Sequence, residues 1–136
     1  MATAEDEMLI AAAAAVRANA YAPYSGLAVG AAIRAADGSI HVGTNCENAS
    51  YPEGICAEAA ALAAMVAAGA RRIAAVAVVA PGAAPAAPCG GCRQKLAEFA
   101  APETPILLAT PAGARETVTL GALLPHAFGA GNLPGR

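Results

Sequence analysis

The stretch from Arg72 to Ala80, RIAAVAVVA, constrains the fold more than any other in this chain. It is an unbroken apolar run of strand length, which predicts a strand covered on both faces. Layers must therefore lie above and below it. Pro105 to Thr110 reads as a second strand of the same kind, and Glu116 to Val118 as a last short one. Leu27 to Ile33 and Ser39 to Cys46 read as strands joined by a tight turn at Asp37-Gly38, a hairpin signal. Helices are expected over residues 5 to about 20, where acids come first and an arginine late, and over Ile55 to Gly69, which ends at a glycine. Gly91 to Ala100 reads as another helix and Leu120 to Leu124 as a helical turn. Alternating strands and helices after an opening hairpin predict an α/β fold. Its expected form is a three-layer α/β/α sandwich with a mixed, mostly five-stranded sheet, in one domain over residues 1–136.

Composition excludes several function classes. The hydrophobic fraction of 57% and the positive mean hydropathy suggest a membrane protein, but about a third of the chain is weakly apolar alanine. No window reaches the eighteen or so strongly apolar residues of a spanning helix, and the richest run is broken by Arg71 and Arg72. The first residues, MATAEDE, are acidic where a signal peptide is basic. The expectation is a soluble, cytoplasmic protein with no membrane partner. Net charge is −2 and the eight Lys and Arg residues are scattered, so the basic stripe of a nucleic-acid binder is missing. The four cysteines, read in an intracellular context, point to metal binding or catalysis rather than to disulfides.

Two of those cysteines lie in PCGGCRQ, Pro88 to Gln94, and a third opens CAE, Cys56-Ala57-Glu58. Both segments follow one pattern: Pro and Gly in a loop, then cysteine at a helix start. Helix N-termini carry about half a positive charge and free N–H groups, which stabilise thiolates. Two such starts facing each other bring Cys56, Cys89 and Cys92 together as three zinc ligands. A zinc with three protein ligands keeps its fourth tetrahedral position open, as catalytic sites do. Glu58, two residues after Cys56, falls on another side of the first helical turn. It can aim at that open position and move protons there.

CAE followed some thirty residues later by PCGGCRQ resembles the signature of the zinc-dependent deaminases, in the variant where cysteine replaces the usual histidine. YAPYSGLAVGAA and NCENASY upstream, with LLPHAFG downstream, resemble the small homotetrameric cytidine deaminases in particular. The resemblance spans roughly Tyr21 to Phe128 in the expected order. It implies one zinc per subunit on Cys56, Cys89 and Cys92, with Glu58 as the proton shuttle. It also implies that Asn45 and Glu47 hold a ribose hydroxyl, and that Asn48, Ala49 and Ala57 border the substrate. Tyr51 and Phe128 are implied to reach the site of a neighbouring subunit. The implied reaction is hydrolytic deamination of cytidine and 2′-deoxycytidine to uridine and 2′-deoxyuridine, with release of ammonia.

Two positions depart from the family pattern. Leu27 stands where an aromatic ring often packs near the pyrimidine, and Ala59 where an arginine often bonds the thiolates. Arg93 and the helix N–H groups are the remaining candidates to offset the thiolate charge. Cys46 invites a fourth-ligand reading, but without a CxxC partner it is expected to be a small buried residue. His41 and His126 are read as structural. Two alternatives stand beside the leading reading. One is a deaminase of a modified cytosine nucleoside or of a blasticidin S-like antibiotic; the antibiotic deaminases lack the NxENA ribose motif present here. The other is a non-catalytic zinc-stabilised binding module.

Overall fold

The computed structural model describes residues 2–135, and its elements follow the expected order. α1 (Ala4–Val16) comes first, followed by β1 (Gly30–Ala35), β2 (Ile40–Thr44), α2 (Ala57–Ala67) and β3 (Ile73–Val79). α3 (Gly90–Ala97), β4 (Pro105–Ala109), β5 (Arg115–Thr119) and α4 (Leu120–Leu123) complete it. The five strands form one sheet in the order β2-β1-β3-β4-β5. β3 and β4 pair in parallel and every other neighbouring pair is antiparallel, so the sheet is mixed.

Strand alternation sorts the core into two layers of different build. Ala31, Ile33, Val76, Val78, Ile106 and Leu108 face α2 and α3, where they meet Leu62, Met65 and Leu96. Ala32, Ala75, Ala77, Leu107 and Ala109 face α1 and meet Leu9, Ile10 and Ala13. Burying one large aliphatic side chain contributes about 1.5–3 kcal/mol, so the α2/α3 face supplies most of the apolar stabilisation. The alanine-built face adds ion pairs from α1 to the sheet instead, Arg34 with Asp6 at 3.4 Å and Arg115 with Glu7. α1 opens on a capping box between Thr3 and Asp6, which explains why it begins where it does.

Two glycines set how closely the helices approach the opening hairpin. A Cβ on Gly30 would lie 2.0 Å from the Ala13 carbonyl oxygen of α1, and one on Gly43 would lie 2.3 Å from the Ala61 nitrogen of α2. Both contacts are with helix backbone. The hairpin is therefore gripped from both sides with no side chain between. Among the described residues, no helix is long and apolar enough to cross a membrane.

The main difference from the expected elements is informative. The first strand begins at Gly30 rather than Leu27, because residues 27–29 spend most of their polar groups on side chains, only the Val29 carbonyl taking a long bond from the Asn45 amide at 3.4 Å. The Leu27 carbonyl accepts from Asn45 Nδ2 (2.7 Å), the Val29 amide donates to Asn45 Oδ1 (2.9 Å), and the Ala28 carbonyl accepts from Arg17 Nε (2.7 Å). Likewise β2 stops at Thr44, and Cys46 bridges to Tyr21 and Ile55 outside the sheet.

Candidate active site and metal centre

Topology brings the two cysteine segments together. β2 and β3 are both antiparallel to β1, so they run in the same direction. The helices that follow them, α2 and α3, therefore start at the same end of the sheet, the end where α/β folds bind ligands. Cys56 is the N-cap of α2 and Cys89 the N-cap of α3, with Cys92 in the first turn of α3. Their three sulfurs lie within 4.8 Å of one another, and Cys56 Sγ is 3.9 Å from Cys89 Sγ. Zinc–sulfur bonds of about 2.3 Å in a tetrahedron put sulfurs about 3.8 Å apart, so the spacing fits zinc. A disulfide needs about 2.05 Å, and all four cysteines are free.

The electrostatics ask for a cation. Burial pushes the Cys92 thiol well up, and the nearby Glu58 and Cys56 charges add to the effect. Cys56 is raised by burial as well. Cys89 is lowered, chiefly because the Cys92 backbone N–H donates to its sulfur. Three thiolates crowded here are stable only opposite a positive charge, which a dication supplies. Glu58 is 6% exposed, and burial raises its carboxyl above the usual range. It therefore holds a proton more readily than a free glutamate, as a group that must both take and give protons requires.

Cys56, Cys89, Ala57 and Glu58 line a cavity of about 340 Å³ that also includes Leu27, Asn45, Glu47 and Tyr51. Glu47 and Tyr51 are shared with a neighbouring recess of about 360 Å³, lined further by Tyr24, Ser25 and Asn48. The Tyr24 and Tyr51 rings meet edge to face with centroids 6.0 Å apart. The Asn48 side chain accepts from the Ser50 amide, which shapes this loop, and Ala49 is exposed beside it. Phe128 stands apart from this cavity. It is 59% exposed, and its carbonyl accepts from Gln94 Nε2 at 2.9 Å.

Two expectations need correction. Arg93 directs its guanidinium to backbone carbonyls, Nε to Pro88 at 2.7 Å and Nη1 to Leu123 at 2.8 Å. It ties the start of α3 to α4 and makes no hydrogen bond to a thiol, while at Cys89 a helix N–H does donate to the sulfur. Cys46 is exposed rather than buried, because its strand-like bridges use only its backbone and leave the side chain outward. It is not part of the three-sulfur cluster. His41 bonds Ser39 Oγ at 2.8 Å, and His126 occupies a turn with φ 52°; neither lines the cavity.

Sequence reasoning missed Ser25 and Tyr24. Ser25 donates its hydroxyl to Glu47, and both residues' amides donate to the same carboxylate. The serine lies in a short polar loop twenty-two residues from its partner, and no local pattern announces such a contact.

Comparison with known proteins agrees with this geometry. Residues 3–108 match the family model described as the cytidine and deoxycytidylate deaminase zinc-binding region. A cytidine deaminase of Sporosarcina psychrophila is 44% identical over 122 residues, 90% of this chain and 90% of that protein. One from Mycobacterium tuberculosis strain H37Rv is 41% identical over 86% of this chain and 84% of its own length. Among solved structures, the cytidine deaminase of Burkholderia pseudomallei superposes with a TM-score of 0.86 at 46% identity, covering 90% of this chain and 98% of that one. The three-thiol centre, the buried Glu58 and this similarity along nearly the whole chain converge, and the chain belongs to the cytidine deaminase family.

Proposed function

We propose that this protein hydrolyses cytidine and 2′-deoxycytidine to uridine and 2′-deoxyuridine, releasing ammonia. The observation that carries the reading is one cavity lined both by Cys56, Cys89 and Glu58 and by Asn45 with Glu47. Chemistry and sugar recognition then lie within one nucleoside's reach. Cys56, Cys89 and Cys92 would hold zinc, which when bound supplies Lewis acidity at its open fourth position. Glu58 takes a proton from the attacking water and delivers it to ring nitrogen 3. The water oxygen bonds to carbon 4 as the N3–C4 double bond opens. Glu58 then takes that oxygen's remaining proton and passes it to the amine, whose bond to carbon 4 breaks as the C4=O bond forms. The balance is one water consumed and one ammonia released. Asn45 and Glu47 hold the sugar, and Ala57 borders the base beside Glu58.

Ammonia release measured across cytidine, deoxycytidine, cytosine, CMP and blasticidin S tests the reading. Turnover of the two nucleosides well above the rest is expected. Preference for blasticidin S would replace it with antibiotic deamination, and no turnover by the zinc-loaded protein would leave a binding module. The free thiols that zinc requires suit a reducing compartment, in keeping with a cytoplasmic enzyme.

Leu27 gives the base an aliphatic wall, and the residue is 48% exposed. Leu27→Phe should tighten cytidine binding by about 1 kcal/mol, the worth of one aromatic contact. Competitive inhibition by a non-reacting pyrimidine nucleoside measures this, and weakened binding would mean a pocket built around leucine for a bulkier base.

The assembly we infer is a homotetramer with shared active sites. Tyr51 lines its own cavity yet is 76% exposed, and Phe128 projects outside the cavity, so both rings present surface that a neighbouring chain's site can use. Closed symmetric assemblies complete such sites reciprocally. Removing the tail from Pro125 onward should abolish activity while zinc stays bound to a folded core. Sedimentation of an active monomer, or full activity after the truncation, would refute the shared site.

A further inference from the structure

Between Tyr21 and Gly30 the chain borders the cavity with its backbone held by side chains. The Glu47 carboxylate does most of the holding. Its Oε1 accepts from the amides of Tyr24 and Ser25, each at 3.0 Å, and its Oε2 accepts from the Ser25 hydroxyl. The Ser25 oxygen in turn accepts from the Leu27 amide at 3.0 Å. A carboxylate offers about four acceptor positions. Three are filled by this loop, and the one left is on Oε2, the oxygen that Ser25 orients.

Asn45 has the complementary vacancy. Its Oδ1 takes the Val29 amide and its Nδ2 gives one proton to the Leu27 carbonyl, leaving one N–H free. One free acceptor and one free donor suit a single hydroxyl, which gives a proton to Glu47 and accepts one from Asn45. Ser25 sits where this hydroxyl site joins the Leu27 wall.

We propose that Ser25 is a positioning residue for sugar recognition: it fixes the rotation of the Glu47 carboxylate, leaves it one acceptor position, and couples that position to the Leu27 wall through the Leu27 amide. This rests on the nucleoside deaminase reading above. A pair that grasps one hydroxyl treats nucleosides sharing that hydroxyl alike, whatever their other sugar substituents. The carboxylate is also held below its usual range, first by the Ser25 hydroxyl and then by its amide, so it accepts as an anion.

The test compares zinc-loaded wild type, Ser25→Ala and Ser25→Thr on cytidine and on 2′,3′-dideoxycytidine. Loss of a bond to a charged group is worth about tenfold or more in binding. Ser25→Ala should therefore raise KM for cytidine about tenfold, with the main effect on KM rather than kcat. It should raise KM for the dideoxy compound distinctly less, because only the Leu27 wall and not the hydroxyl bond is then affected. Ser25→Thr, which keeps the hydroxyl, should restore the cytidine value. Amide exchange at Leu27 in the free protein should quicken in Ser25→Ala and not in Ser25→Thr. Equal KM losses on both nucleosides, an unchanged cytidine KM, or an alanine effect that threonine fails to rescue would each overturn the assignment. Wild type that releases no ammonia from cytidine defeats the parent reading and the Ser25 role with it, whereas an active wild type with an indifferent Ser25→Ala defeats the Ser25 role alone.

Discussion

Glu58→Gln is expected to bind zinc as well as the wild type does and to turn over cytidine at least about 10² to 10⁴ times more slowly, the usual worth of general acid–base help. Glutamine matches the shape of the carboxylate but neither takes nor gives the proton. Glu58 is not one of the three clustered thiols, so the metal has no reason to leave. Its depth matters to the size of the effect. At 6% exposure, bulk water has little access from which to replace the missing proton carrier. Metal analysis beside steady-state rates checks the result. Near-normal turnover in a zinc-replete variant would mean that protons move by another route, and the mechanism would fall.

The second large effect separates the four cysteines. Cys56→Ala, Cys89→Ala and Cys92→Ala should each lose the metal or its activity, since two thiolates cannot close a stable catalytic site. Cys92 should be the most damaging to the fold as well, because it alone of the three is buried. Cys46→Ala should keep both zinc and activity, being exposed and outside the cluster. Zinc stoichiometry on the four purified variants decides the matter. Release of zinc by Cys46→Ala would indicate a closed four-thiol site with no position left for chemistry.

Much of the site was legible in the sequence because its grammar is local. Cysteine as helix N-cap, then glutamate two positions on, can be read from three letters, and Cys89-Gly-Gly-Cys92 from four. That the two segments meet could be expected once both helices were taken to follow strands running the same way. What could not be read were contacts made across long separations by ordinary polar residues. Arg93 looks like a thiolate partner in its motif, yet it finds carbonyls at Pro88 and Leu123. The start of β1 moved three residues because Asn45, sixteen positions beyond Val29, captured that residue's amide. Propensity marks 27–29 as strand; a distant side chain overrides it.

Gly43 bears on how such a site can change over evolutionary time. The atoms its missing Cβ would strike are Ala61 N, the Ala57 carbonyl oxygen and Ala60 C, the first turns of the helix that carries Cys56 and Glu58. At Gly43, α2 is thus seated backbone against backbone, with no rotamer to relax at that point, while Leu62 and Met65 pack the rest of the helix on the sheet. The seat at Gly43 cannot be tuned by gradual repacking. Adaptation to a new base or sugar has to come from the loops around the cavity, where Leu27 and Ser25 lie, while the seat itself stays fixed.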